Sequence, residues 1–233
     1  MHRLDILFPA CCPICLKPVH PKGSFIHEAC RRKLKFVESP FCMKCGRGIA
    51  DEGAALCSSC KKGDFVFDSG RCTFAYHSDI GNAIKWVKDE GTREFIDFFG
   101  DTAAKRHETF LKAVKPEIIV PVPLSESRLR ARGFNQSELF AESLAGVLGI
   151  PVGKLLKKVR NTRDQKGLNR RERTRNLAGA FEAVSCKEMP ERVLLTDDIY
   201  TTGSTVNACA AVLKAAGVKE VYFICIAAGT ADD

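Results

Sequence analysis

Near its C-terminal end the chain reads Val193-Leu-Leu-Thr-Asp-Asp-Ile-Tyr-Thr-Thr-Gly-Ser-Thr205. The apolar start is typical of a buried strand, and the residues from Ser204 onwards continue as a helix. Between the two lie the adjacent acids Asp197 and Asp198 and a turn in which hydroxyl side chains flank Gly203. Hydroxyl groups, a glycine and a helix start together suit a phosphate, and paired carboxylates suit ribose hydroxyls or Mg²⁺. An acidic turn with an ordinary Ser/Thr helix cap is the alternative.

Segments on both sides of this turn predict an α/β fold. Buried strands are expected at residues 118–120, 193–196 and 221–226, and helices at Gln136–Leu148 and residues 204–216. Strands and helices that alternate over short connections form a parallel sheet covered on both faces. Ligands bind such sheets at the carboxyl ends of the strands.

Two further patterns precede these segments. Apolar residues between Phe65 and Tyr76 alternate as in short strands, and residues 80–87 have helical spacing. A second helix is predicted over residues 92–114, because Pro116 stops it.

Positive charge is concentrated in one segment. The chain has 36 Lys and Arg against 28 Asp and Glu, a formal net charge of +8. Residues 154–175 contain ten cations and two acids, so they account for the whole excess. So many like charges in one segment repel one another, which predicts a polyanionic partner, either a phosphate, a diphosphate or a nucleic acid. The alternative is a solvated, unevenly charged loop. The segment contains no aromatic residue, so contacts to backbone phosphates are expected there rather than base stacking.

Most cysteines lie in the N-terminal part of the chain, where two quartets repeat with an offset of 30 residues. The quartets are Cys12, Cys15, His27 and Cys30, followed by Cys42, Cys45, Cys57 and Cys60. Each quartet offers the four N or S ligands of tetrahedral zinc. We therefore predict two structural zinc ions in a module of residues 1–63 that is too small to bury a core of its own. Pairing within each quartet and cross-bracing between quartets both fit the spacing.

A second domain, residues 64–233, is expected where the cysteine pairs stop. Cys186, Cys209 and Cys225 lie among apolar neighbours there and are predicted to be buried. The sequence has no apolar run of about 18 residues, so no membrane insertion is expected. The N-terminal apolar stretch is short and interrupted by Asp5, unlike a secretory signal. A cytoplasmic location is therefore expected, where a high density of cysteines favours metal binding over disulfides.

The stretch of residues 193–205 resembles the phosphoribosyl pyrophosphate (PRPP) signature of type I phosphoribosyltransferases. Together with the cysteine module, Pro121-Val-Pro-Leu124 and Arg132-Gly-Phe-Asn-Gln136, the whole chain resembles the ComF family of competence proteins, also called double zinc ribbon phosphoribosyltransferase-like proteins. The resemblance implies a type I phosphoribosyltransferase-like parallel sheet flanked by helices, preceded by a small N-terminal double zinc-ribbon module. One departure is His27, which stands where the family usually has cysteine.

The resemblance also implies roles for single residues. Asp197 and Asp198 would be the candidate catalytic pair and would hold the ribose 2′- and 3′-hydroxyls. Other residues implied to bind PRPP with Mg²⁺ are Thr201, Thr202, Gly203, Ser204 and Thr205 at the 5′-phosphate, and Leu124 and Ser125 at the pyrophosphate. The mobile basic loop of type I enzymes would correspond to residues 162–175, with the candidate side chains Arg163, Lys166, Arg170, Arg171 and Arg173.

Two functions follow from the resemblance. ComF proteins are associated with natural transformation, which implies that the chain handles single-stranded DNA and has a possible partner in the DNA-uptake machinery. The alternative is an active phosphoribosyltransferase that acts on an unidentified nucleobase or amine and has no DNA role. In that reaction the acceptor displaces pyrophosphate from C1 of the ribose, and the basic loop stabilises the charge on the leaving group.

Overall fold

The computed structural model describes residues 10–20, 24–162 and 169–229. Its helices are α1 (Glu28–Arg31), α2 (Ser58–Lys62), α3 (Ser78–Glu90), α4 (Arg93–Arg106), α5 (Glu108–Val114), α6 (Glu126–Arg132), α7 (Gln136–Leu148), α8 (Arg170–Leu177) and α9 (Ser204–Ala215). Its strands are β1 (Ser69–Ala75), β2 (Ile118–Pro121), β3 (Leu156–Lys158), β4 (Phe181–Ala183), β5 (Arg192–Tyr200) and β6 (Glu220–Ala228). Within these ranges no helix has both the length and the apolar character needed to cross a bilayer.

Four strands form a parallel sheet in the order β1-β6-β5-β2, which confirms the predicted α/β architecture. Alternate residues of a strand point to opposite faces, so Leu194 and Leu195 of β5 belong to two different cores. The core with Leu194 is covered by α3, α4 and α7. The core with Leu195 is covered by α9 and the antiparallel strand pair β3–β4.

The sheet differs from the prediction in where its strands begin and end. β5 continues past Thr196, because Asp197 and Tyr200 still pair with Cys225 and Ala228 of β6. The two acids therefore lie within the end of β5, not in the turn after it. At the other edge β1 begins only at Ser69, so the phenylalanines that precede it pack into the core without forming a strand.

The helix predicted over residues 92–114 is interrupted at His107, which separates α4 from α5. The imidazole is buried, and its Nε2 lies 3.3 Å from Thr73 Oγ1 on β1. Burial, together with the positive charges of Arg71 and Arg106, lowers the pKa of His107 from 6.5 to about 4. The spacing of apolar residues in the sequence does not show that a histidine is buried here, so it did not predict the break between the two helices.

This histidine makes the fold sensitive to acid. As the pH falls from 6.5 towards 4 the unfolded chain binds a proton on His107 before the folded chain does, so folding loses about 3 kcal/mol when the shift is complete. We expect His107→Gln to remove this part of the acid sensitivity. Urea unfolding of both proteins at about pH 7.5 and about pH 5 measures it. If the wild type and His107→Gln differ in unfolding free energy by the same amount at both pH values, the prediction is contradicted.

The basic segment predicted as one loop contains regular structure. Its first residues form β3, which pairs with β4, and its last residues form α8. Lys154 and Lys157 make ion pairs with Glu138 and Glu182, which neutralise part of the charge counted in the sequence. A three-residue strand is too short for alternation to reveal it.

The prediction for the scattered cysteines is confirmed at two of three positions. Cys209 and Cys225 are fully buried. Cys186 is exposed, so that prediction was wrong. Its apolar neighbours in sequence do not bury it, because it lies in the connection between β4 and β5, outside both cores.

Candidate functional site

A cavity of about 720 Å³ lies at the carboxyl ends of the parallel strands. β5 contributes Asp197 and Asp198, Tyr76 follows β1, and Leu124 follows β2. Helix α3 lines the cavity as well. The parallel topology thus brings segments from distant parts of the chain to the edge where α/β sheets bind ligands.

The two acids are buried and are held by different partners. Oδ1 of Asp197 accepts hydrogen bonds from Ser137 Oγ at 3.1 Å and from the backbone N–H of Asp198 at 2.9 Å. Asp198 forms an ion pair with Lys88 of α3. Neither Ser137 nor Lys88 was predicted as a site residue, because no local sequence pattern links them to the acids.

The two carboxyl groups differ in protonation. Burial and the negative charge of Asp198 raise the pKa of Asp197 to about 8. Burial also acts to raise the pKa of Asp198, but the charge and hydrogen bond of Lys88 outweigh it and hold that pKa below its usual range. Near neutral pH the pair therefore holds one proton and one negative charge, and Lys88 favours the negative charge on Asp198. A ligand that supplies a cation or hydroxyl donors would stabilise the second charge.

The hydroxyl-rich turn follows directly after β5. Gly203 has a φ of 76°, and a Cβ added there would lie 2.2 Å from the Tyr200 hydroxyl, so the turn requires glycine. Thr201 and Thr205 line the cavity. The side chains of Thr202 and Ser204 instead approach each other, with their hydroxyl oxygens 2.9 Å apart. Since α9 begins at Ser204 and the first N–H groups of a helix have no acceptor within it, the turn suits a phosphate.

Cations surround the two acids. Among the described residues, the cations that line the cavity are Lys85, Lys88, Arg128, Arg132, Lys158 and Arg173. Arg173 is the one that the basic-loop prediction included, and it donates a hydrogen bond to Thr201 Oγ1. Arg128 and Arg132 lie one helical turn apart on α6, a spacing that a search for cationic helix faces would have found. The cavity therefore suits a ligand with several negative charges.

Of the remaining predicted site residues, one lines the cavity and the others either lie elsewhere or are not described. Leu124 lines the cavity, whereas Ser125 is buried beside a neighbouring cavity of about 610 Å³. Arg171 is exposed on α8 and is not among the described residues that line either cavity. Arg163 and Lys166 lie outside the described residues, as does the side chain of Arg170.

Each cysteine quartet forms its own cluster, in which four ligand atoms, one from each residue, lie within 4.8 Å of one another. The first cluster holds Cys12, Cys15, His27 and Cys30, and the second holds Cys42, Cys45, Cys57 and Cys60. The ligands are thus paired within quartets and are not cross-braced. Four N or S donors fit tetrahedral structural zinc, so both clusters support the predicted metal.

His27 fits the first cluster in place of cysteine. Its Nδ1 lies 3.3 Å from Cys15 Sγ, and its Nε2–H donates to the carbonyl oxygen of Pro18 at 2.9 Å. A hydrogen bond from the far ring nitrogen orients a metal-binding histidine and leaves the near nitrogen free to bind the metal. The departure at His27 therefore does not remove the site.

The two clusters have different surroundings. All four cysteines of the second cluster belong to the large core that also contains Tyr200 and Phe223 of the sheet. In the first cluster, Cys12 and Cys30 share a small separate core with Val19. One repeated spacing therefore produces two unequal sites, one built into the sheet and one beside it.

Comparison with known proteins gives the same order of units. A double zinc ribbon domain matches residues 3–65, and a phosphoribosyl transferase domain matches residues 135–233. Competence protein F of Haemophilus influenzae is 31% identical over 90% of this chain and 93% of its own. Competence protein ComFC of Bacillus subtilis is 29% identical over 84% of this chain and 82% of its own. DNA utilization protein YhgH of Salmonella typhi is 39% identical over 48% of this chain and 49% of its own.

Proposed function

The chain belongs to the ComF family of competence proteins, and from this premise we propose that it binds PRPP with Mg²⁺ and handles single-stranded DNA. One observation carries the PRPP proposal: Asp197 and Asp198 are buried together in a cavity whose other charged lining residues, among those the structure describes, are cations. Carboxylates among cations suit a molecule that offers hydroxyl groups at one end and phosphates at the other.

The parts of PRPP match the parts of the cavity. The two aspartates would accept hydrogen bonds from the ribose hydroxyls, and the turn of residues 201–205 would hold the 5′-phosphate. Arg128, Arg132 and Arg173 would face the pyrophosphate. Carboxylate and phosphate oxygens are also the ligands that Mg²⁺ prefers, so the donor set fits this ion. When bound, Mg²⁺ would neutralise charge on the pyrophosphate.

A calorimetric titration of PRPP with Mg²⁺ into the zinc-loaded protein tests this proposal. Binding with a stoichiometry of about one per chain is expected. Ribose 5-phosphate and inorganic pyrophosphate, titrated separately, should each bind more weakly, because each occupies only part of the cavity. Failure of PRPP to bind to the folded, zinc-loaded chain would refute the proposal.

Single-stranded DNA handling is supported by two observations besides the names of the relatives. Helix α8 places Arg171 and Arg175 on the surface, while Arg173, between them on the same helix, lines the cavity. Tyr76 lines that cavity together with Arg173 and is 50% exposed, so an aromatic ring and one arginine of α8 share a cavity although the basic segment itself has no aromatic residue. Backbone phosphates on α8 and a base on Tyr76 would together bind a single strand.

Salt dependence tests the DNA proposal. The logarithm of the affinity for a single-stranded oligonucleotide should fall with the logarithm of salt, with a slope of about −0.7 for each phosphate contact. Arg171→Gln with Arg175→Gln should reduce that slope by about 1.4. The matched control, Lys105→Gln with Lys112→Gln, makes the same charge change on α4 and α5 and should leave the slope unchanged. A salt-independent affinity in the wild type would refute DNA binding through phosphates.

The transferase alternative predicts a chemical reaction in the same cavity, and this reaction can be measured. An active transferase would release pyrophosphate from PRPP in the presence of a nucleobase or an amine. Turnover combined with a flat response of DNA affinity to salt would favour that alternative over DNA handling. PRPP binding and salt-dependent DNA binding without pyrophosphate release would favour the proposal made here.

A further inference from the structure

The two zinc ribbons differ at positions that the repeat makes equivalent. Lys17 and Arg47 occupy the same place, since the N–H of Cys12 donates to Lys17 O at 2.9 Å and the N–H of Cys42 donates to Arg47 O at 2.7 Å. Lys17 is exposed, whereas Arg47 is only 2% exposed. The ribbons therefore share a backbone but bury different side chains, which indicates a separate role for Arg47.

Arg47 connects the second metal cluster to the hydroxyl-rich turn. Its Nη1 donates to the carbonyl oxygen of Thr201 at 3.2 Å, and its Nη2 donates to Cys57 Sγ at 3.6 Å. Its guanidinium also lies 5.3 Å from the centre of the Tyr200 ring. One planar fork thus contacts a zinc ligand, the last residue of β5 and the first residue of the turn.

The burial of this charge has a physical explanation. Four thiolates around one zinc ion carry a net negative charge, so the second cluster is a counter-ion for Arg47. The first cluster has a neutral histidine in place of one thiolate and therefore carries less negative charge.

Two glycines bring these groups into contact. A Cβ on Gly46 would lie 2.5 Å from the carbonyl oxygen of Gly70, so glycine lets the ribbon pack directly on β1. The first ribbon has Leu16 at the equivalent position, and it is exposed. At the other end, Gly203 lets the turn lie against the Tyr200 ring. Tyr200 and Arg47 thus both contact the turn.

We propose that Arg47 is a positioning residue that ties the second zinc cluster to the turn of residues 201–203, so that this metal site holds the phosphate-binding backbone in place. Its effect on PRPP affinity rests on the proposed function, but its effect on the turn does not. The first zinc cluster has no such role, because Lys17 points to solvent where Arg47 is buried.

The test compares Arg47→Gln with its matched control, Lys17→Gln, without any ligand. We expect amide hydrogen exchange in a peptide that covers residues 197–205 to become about fivefold to tenfold faster in Arg47→Gln and to stay unchanged in Lys17→Gln. Both variants should keep about two zinc ions per chain, as measured by metal analysis. Unchanged exchange in folded Arg47→Gln would overturn the proposal even if PRPP binds.

A conservative variant distinguishes loss of the Arg47 contacts from a general failure to fold. Arg47→Lys keeps the buried positive charge but cannot contact the Thr201 carbonyl and the Cys57 sulfur with one planar fork. It should fold, and exchange in the same peptide should be intermediate between the wild type and Arg47→Gln. Exchange at the wild-type rate in Arg47→Lys would overturn the bridging role. If PRPP binds to the wild type, a loss of affinity of about tenfold should accompany the faster exchange in Arg47→Gln.

Discussion

Replacement of Asp197 and Asp198 together by asparagine is expected to reduce the affinity for PRPP and Mg²⁺ by at least about a hundredfold, because hydrogen bonds to charged groups contribute most to binding. Asparagine keeps the size of each side chain but removes the charge that Mg²⁺ requires. It also removes the ion-pair partner of Lys88, whose side chain is 27% exposed and can contact water instead. Calorimetry with the wild type and the double variant measures the difference.

The folded state of this variant should survive. Burial and the negative charge of Asp198 raise the pKa of Asp197 to about 8, so this side chain is already uncharged near neutral pH and asparagine keeps it uncharged. A raised carboxyl pKa also means that folding loses stability as the pH rises from the ordinary pKa of 3.8 towards about 8, so Asp197→Asn should remove this loss.

A matched control separates charge from position. Asp101→Asn with Glu108→Gln makes the same change of net charge on α4 and α5, away from the cavity. This control should bind PRPP as the wild type does. If the Asp197 and Asp198 variant also binds PRPP as the wild type does, the acids are not the ribose site, and the turn is a structural feature only.

Loss of the second zinc site should damage the protein far more than loss of the first. Cys12 and Cys42 are equivalent in the repeat and both are fully buried, so Cys12→Ser and Cys42→Ser form a matched pair. Structural zinc contributes about 10–16 kcal/mol in isolated zinc-finger peptides. A typical domain is stable by about 5–15 kcal/mol in total. Loss of a site that shares the sheet's core therefore threatens the whole fold.

We expect Cys42→Ser to prevent cooperative folding or to lower the thermal midpoint by tens of degrees, since Cys42 lies in the core with Tyr200 and Phe223. Cys12→Ser should unfold only the first ribbon, because Cys12 lies in a small separate core. Calorimetric melting, with zinc analysis of each variant, measures both effects. If both variants retain one zinc ion and have the same thermal midpoint, the predicted difference between the two zinc sites is contradicted.

Several features were predictable because their residues are close in sequence. The order strand, acids, hydroxyl-rich turn and helix places Asp197, Asp198 and Gly203 within one supersecondary unit, and covalent connection alone keeps them together. The ligand quartets were predictable because tetrahedral zinc requires four donors, and a repeat of 30 residues supplies them twice. Even the substitution at His27 was consistent with this rule.

Other features depend on how distant segments pack. Local patterns do not show that Lys88 pairs with Asp198, that α6 carries its arginines to the cavity, or that β6 extends β5 past the acids. Arg47 and Lys17 look interchangeable in the sequence, yet only Arg47 is buried and reaches Thr201.

Sequence periodicity and spacing therefore determined the α/β class, the two acids followed by a hydroxyl-rich turn, and the eight zinc-ligand residues of this protein, but not how those ligands pair. Tertiary packing alone decided which charges face each other, which zinc cluster joins the core, and which backbone groups the cluster supports. The physical reason is that local patterns act through bonds along the chain. Ion pairs, burial and pKa shifts act through space, over distances that only the packed sheet and its helices define.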